Sequence, residues 1–538
     1  MRQAFCVLTF LLALPCAAAA QHEHHGRTSG DALGTVTFQT SCDPAVQQDF
    51  NRAVALLHSF EFRPARDTFE QILARDPSCA MAHWGIALCH WGNPFAGVKA
   101  GPALARGREA AAKGLATGSP TPRERAYLTA VSALFADAER VPHRDRIVAY
   151  ERAMDKVRRE FADDAEAQIF YALALNQTAL PSDKTYAVQL EVASILEPLW
   201  AAHPDHPGLP HYIIHAYDHP PLAPRALEAA RRYAKIAPDA PHALHMPSHT
   251  FTRVGYWKES AETNVASERT AMAQELMGEA LHAMDYQIYA YLQMAQDASA
   301  RAVLERTPAT VARLDVNAMG GAAPGAAGLY AAAAIPARYA LERGAWAEAA
   351  ALTPKQTTTP FADAVTHFAR ALGAARSGRP DAARADIDAL ARLRDALAAK
   401  PDEYWSNQVE IQRQVALAWV TFAEGRRQEG IDLLRAAADR EDATDKAAIS
   451  PGPLAPAREL LGEMLLEAGD AAGALAAFEA TMKKEPGRFR GAYGAARAAE
   501  AAGDRERARQ HYQTLLGIAE GAESPRAELE RARSFLKS

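Results

Sequence analysis

A recurrence of thirty-four residues constrains this chain more than any other feature. Gly469-Asp470 returns as Gly503-Asp504, Ala474 as Ala508, and Phe478 as Tyr512, each at the same interval, and Gly344 and Gly378 repeat it. Between these markers the apolar residues follow helical spacing, so one period holds two short helices and a turn. A helix pair of that size buries only one face by itself, so neighbouring units must stack. Ala is abundant and β-branched residues are few, which favours helix through low side-chain entropy cost. The expected fold is all-α, a superhelix of antiparallel helix pairs.

The period, the small residues where paired helices cross, and Pro486 closing a unit together resemble the tetratricopeptide repeat (TPR) family. The resemblance covers most of residues 43–520 and implies a solenoid with a concave groove. The segments HYIIHAYD, APHALHMPSH and LHAMDYQIYAYLQ are similar to those of a group of exported bacterial TPR proteins. That likeness supports the fold and singles out these segments; it adds no reaction.

The chain divides as follows. Residues 1–20 read as a secretory signal peptide: Arg2, an apolar run from Ala4 to Leu14, then small residues ending at Ala20. Residues 21–42 are expected to be a His-rich flexible segment, where His22 behind a free amine is one conceivable copper chelate. A TPR-like block spans 43–316, a Gly/Ala/Pro-rich linker 317–328, and a second block 329–538. The predicted location is periplasmic or secreted, with no later stretch long enough to span a membrane. Export makes a Cys42–Cys79 disulfide chemically allowed, against the alternative of three unpaired thiols that includes Cys89. A net charge of -6 gives no basic patch for nucleic acid.

The working part is expected between His203 and His249, where eight of the chain's eighteen histidines lie. The TPR resemblance implies that the second, fifth, ninth, twelfth and thirteenth residues of a unit face the groove. A unit starting near Pro207 puts His211, His215, Asp218 and His219 there. The next contributes His242, His245 and His249, and a third contributes His282, Asp285 and Tyr289. Independently of the family, His211 and His215, and likewise His245 and His249, lie four apart and share a helix face. Paired imidazoles one turn apart are a common way to present two nitrogens to one metal. The metal set read from the sequence is therefore His211, His215, His242, His245, His249, His282 and Asp285. Asp218, His219 and Tyr289 are expected to support it or line the groove. All-nitrogen ligation with Met246 and Met284 nearby leaves zinc, copper and iron open as a divalent cofactor. Pro247, inside the second cluster, threatens its alignment.

Two other readings stand beside metal binding. The groove could take a periplasmic protein, a peptide or a small anionic ligand, with histidines as donors and acceptors. It could also be a self-satisfied polar network. No nucleotide-binding glycine motif, HExxH or nucleophile–base pair occurs in a convincing context, so the sequence names neither substrate nor reaction.

Overall fold

The computed structural model describes residues 1, 32–99, 101–117, 121–317, 321–399 and 403–538. The signal-peptide and His22 readings lie outside the described residues. Among these residues every regular element is helical, and consecutive helices pack as antiparallel pairs along the chain. The structure is an all-α solenoid of stacked helix pairs.

The thirty-four-residue markers are the hinges and crossings of these pairs. Gly469 and Gly503 end their helices at φ 92° and 78°, a conformation that strains any residue with a Cβ. Asp470 and Asp504 follow at once as N-caps, accepting from the backbone N–H groups of Gly473 and Arg507. At the crossing, Ala474 and Ala508 are fully buried, and Phe478 and Tyr512 fill the space behind them. A Cβ on Gly494 would sit 2.3 Å from the Phe478 ring, so this close approach of two helices requires glycine.

Two expected boundaries are corrected by packing. Residues 32–42 are not a flexible tail. Phe38 is fully buried against Phe50, Trp84 and Tyr127, and Thr35 donates its backbone N–H to the Asp205 carbonyl at 2.9 Å. This extended strap is tied to the first helices by the Cys42–Cys79 disulfide, while Cys89 remains a buried free thiol. Nor does 317–328 separate two independent blocks. The helix Gly325–Leu341 begins inside it and packs directly on Met277–Gln293 through Leu281, Met284, Ile335 and Tyr339.

The C-terminal helices also return to the middle of the chain. Trp257 Nε1 donates to the Gly487 carbonyl, Arg488 Nη1 to the Tyr289 hydroxyl, and Arg526 pairs with Asp297. That return brings the loop 443–456, read in the sequence only as a Pro-rich break around SPGPLAP, over the histidine-bearing helices.

Candidate metal centre

Three successive helical segments carry the histidines. Gly208–Tyr217 supplies His211 and His215; Pro241–His245 and Pro247–Val254 supply His242, His245 and His249; Met277–Gln293 supplies His282. Pro247 interrupts the helical hydrogen bonding for one residue but does not turn the chain. Met246 keeps right-handed helical angles (φ −53°, ψ −35°), and Ser248 Oγ donates to the carbonyl of His245 at 2.7 Å. The two sides of the break stay in phase, so His245 and His249 remain on one face.

The six imidazoles fall into two trios. One nitrogen from each of His211, His215 and His242 lies within 4.8 Å of the others, and the same holds for His245, His249 and His282. The trios adjoin: the rings of His215 and His249 are 6.4 Å apart, and those of His242 and His245 6.2 Å. All six side chains are buried except His215, which is partly exposed.

Their hydrogen-bond partners fix which nitrogen is available. His211 Nδ1 lies 2.6 Å from the His58 carbonyl, which can only accept, so Nδ1 carries the proton. His249 Nδ1 donates to the Asp218 carboxylate at 2.9 Å. Asn264 donates its amide Nδ2 to the Ser260 carbonyl, which leaves Oδ1 as the acceptor for His245 Nδ1 at 2.7 Å. In each neutral ring Nε2 is therefore the lone-pair nitrogen, and that of His249 also has the Tyr286 hydroxyl 3.4 Å away. The Nε2 atoms of His245 and His249 face one another at 3.0 Å, and those of His211 and His215 at 3.1 Å. Both ring nitrogens of His242 and Nδ1 of His282 are buried without a protein partner.

Burial pushes all six imidazoles below their ordinary value, His211 and His282 to about 3, so the rings are neutral at pH 7. Neutral imidazole is the form that binds metal.

The other expected residues are distributed differently. Asp218 orients an imidazole, as described, and also receives Arg253 Nε at 2.8 Å and Lys446 Nζ at 3.3 Å. Asp285 does not join the histidines: it forms a fully buried ion pair with Arg338 at 2.7 Å. His219 turns away from the trios, its ring tilted against Tyr186 at 4.8 Å with Nδ1 3.4 Å from Asp445. The Tyr289 hydroxyl is held by Arg488 beside Trp257. Met246 and Met284 pack in apolar clusters.

Several residues at the site carry no pattern in the sequence that singles them out. Asn264 comes from the second helix of its unit, and Tyr286, stacked on His249 at 5.2 Å, reads as core. Lys446, Ile449 and Ser450 come from the 443–456 loop. The backbone of Ile449 bonds His282, and the carbonyls of Ala448 and Ser450 accept from the Tyr286 hydroxyl at 3.2 Å. The loop thus covers the face the histidines occupy. Burial pushes the Lys446 ammonium down to about 8, against the attraction of Asp218.

A third histidine group, His58, His206 and Glu166, has the opposite character. Gly208 N–H donates to His206 Nδ1, and His206 and His58 each contact one Glu166 oxygen through Nε2, at 3.0 and 2.9 Å. His58 Nδ1 meets the Tyr212 hydroxyl at 2.9 Å. Every donor has an acceptor, so this is a closed polar network, and it anchors the segment whose carbonyl orients His211.

No family model and no curated protein matches this chain. Among solved structures the chain matches the TPR domain of P58(IPK), at 13% identity and TM-score 0.21, covering 69% of this chain and 98% of that one. The Cut9–Hcn1 hetero-tetramer of the APC/C matches at 10% identity and TM-score 0.33, covering 91% of this chain and 89% of that one. Naa15/Naa10 bound to HypK-THB matches at 12% and TM-score 0.24, covering 90% and 69%. The solenoid assignment rests on the helix order itself.

Proposed function

We propose that this protein is an exported helical solenoid that holds transition metal in its histidine cluster, to store it, pass it on, or use it for chemistry through an open coordination position. The Nε2–Nε2 contact of His245 and His249 carries this reading. With both Nδ1 protons committed to Asn264 and Asp218, neither Nε2 has a hydrogen to offer. Two lone pairs 3.0 Å apart in a buried site repel, whereas a cation between them turns that repulsion into coordination. When bound, the metal would supply Lewis acidity or redox chemistry. The chain's own residues hold the imidazoles in the binding tautomer, through Asp218, Asn264 and the His58 carbonyl, and shield the site beneath the 443–456 loop.

A peptide in the same groove would have to displace that loop and the bonds that seat it on Tyr286 and His282, which weighs against the interaction-module reading. The Cys42–Cys79 disulfide supports an oxidising compartment.

Elemental analysis of protein purified without a His tag tests the proposal. Stoichiometric metal is expected, and a His215→Ala/His245→Ala variant is expected to lose it while keeping its helical circular dichroism. Less than roughly a tenth of an equivalent, unchanged after reconstitution, removes the idea.

A further inference from the structure

We infer that the cluster is a two-ion site that takes a pair of cuprous ions, one in each histidine trio. This deepens the metal reading above and rests on it.

The first argument is geometric. A single ion cannot use six imidazoles split into two groups. Each trio converges on its own space, with one nitrogen of each member within 4.8 Å of the others, while ring centres across the divide stand 6.2 and 6.4 Å apart. Unpartnered buried nitrogens occur on both sides of that divide, on His242 in one trio and on His282 in the other. A site for one ion would leave the second set of desolvated nitrogens without compensation, at a cost paid for each unsatisfied group.

The second argument is charge. Each trio consists of imidazoles alone, and no carboxylate among the described residues joins either one: Asp218 binds Arg253, Lys446 and the far nitrogen of His249, Asp285 pairs with Arg338 through one oxygen, and Glu61 reaches the backbone N–H of His242. The Lys446 ammonium, buried beside Asp218, adds positive potential. Repulsion between neighbouring ions scales with the product of their charges, so it is about four-fold smaller for two monovalent ions than for two divalent ones. Adjacent zinc or ferrous ions would bring twice the charge each into a buried space, and neither trio contains a carboxylate to offset it. Cuprous ion carries a single charge and accepts three imidazoles without further ligands. Met246 and Met284 stay in the apolar core, so the shell is all nitrogen.

The test is anaerobic titration of the tag-free protein with cuprous ion, scored by competition with a colorimetric chelator and by metal analysis after desalting, with zinc chloride in parallel. Two cuprous ions per chain and no more than one zinc are expected. His211→Ala/His215→Ala and His245→Ala/His249→Ala variants are each expected to keep one copper. One copper per wild-type chain, or two zinc ions held as tightly as two coppers, overturns the inference and leaves a metal site standing. No bound metal of any kind overturns the underlying reading instead. Should a double variant lose its helical circular dichroism, X-ray absorption of the copper-loaded wild type decides. About three imidazoles per copper support the pair, and fewer than two overturn it.

Discussion

Asp218 accepts the Nδ1 proton of His249 at 2.9 Å while its other oxygen holds Arg253 at 2.8 Å. One carboxylate therefore fixes the imidazole tautomer and is itself fixed by a buried guanidinium. Asp218→Asn removes the obligatory acceptor and offers an amide that can donate to Nδ1, turning the proton toward the metal-facing nitrogen. Metal affinity, measured by chelator competition, is expected to fall about 10–100-fold, with helical circular dichroism retained. An unchanged affinity would show that His249 is not a ligand.

Asp285 and Arg338 are both fully buried and meet at 2.7 Å, with Arg338 also donating to the Ser450 hydroxyl and the Gly452 carbonyl. Asp285→Ala leaves a buried guanidinium without its counter-ion, a loss on the order of 3–5 kcal/mol. Denaturant unfolding should show that loss, and metal stoichiometry should not change in the folded protein. Loss of metal with stability intact would return Asp285 to the ligand set.

The disulfide closes a sequence separation of 37 residues and ties the strap containing Phe38 to the first helices. Cys42→Ala/Cys79→Ala should lower unfolding free energy by about 3–4 kcal/mol, chiefly through a freer unfolded chain. Titrating free thiols before and after reduction should give one thiol, then three, in the chain lacking residues 1–20, because Cys89 alone is unpaired.

Stability of the metal-free protein should fall on mild acidification. An imidazole in the unfolded chain takes up a proton near pH 6.5, whereas burial holds His211 and His282 down at about 3 and lowers the other four. Below about pH 6.5 the unfolded chain thus binds more protons, and each uncompensated imidazole removes about 1.4 kcal/mol per pH unit. Glu61 and Glu279 act oppositely. Burial pushes them up to about 8 and about 7, so the folded state holds their protons and gains stability as pH falls toward 4.5. Glu441, pushed up to about 7, adds to the carboxyl side, and His58, His90 and His143 add to the imidazole side; the lowered imidazoles outnumber the raised carboxyls, and the urea midpoint of apo-protein is expected to drop between pH 7 and pH 5.5. A midpoint that rises instead would mean that the histidines are solvated.

Much of this was legible in the residues. The recurrence of Gly469 at Gly503 and of Ala474 at Ala508 specifies turn and crossing, because left-handed backbone and close helix approach each restrict the side chain. The four-residue spacing of His211 with His215, and of His245 with His249, puts each pair on one face, because a helix turns through slightly more than a full circle in that interval. Those are local consequences of backbone geometry, and a linear pattern records them.

Contacts between distant segments decided the rest. Nothing near Asp285 in the sequence says that it meets Arg338 rather than a histidine, since that depends on how two helices 53 residues apart pack. Residues 32–42 look like a polar tail until Phe38 is placed against Trp84. The loop that brings Lys446 to Asp218 comes from 228 positions away. Sequence periodicity determined that this chain is a solenoid with histidines on shared helix faces. Only tertiary packing divided those histidines into two trios, fixed their tautomers and covered them, because burial and hydrogen-bond partners are properties of neighbours in space.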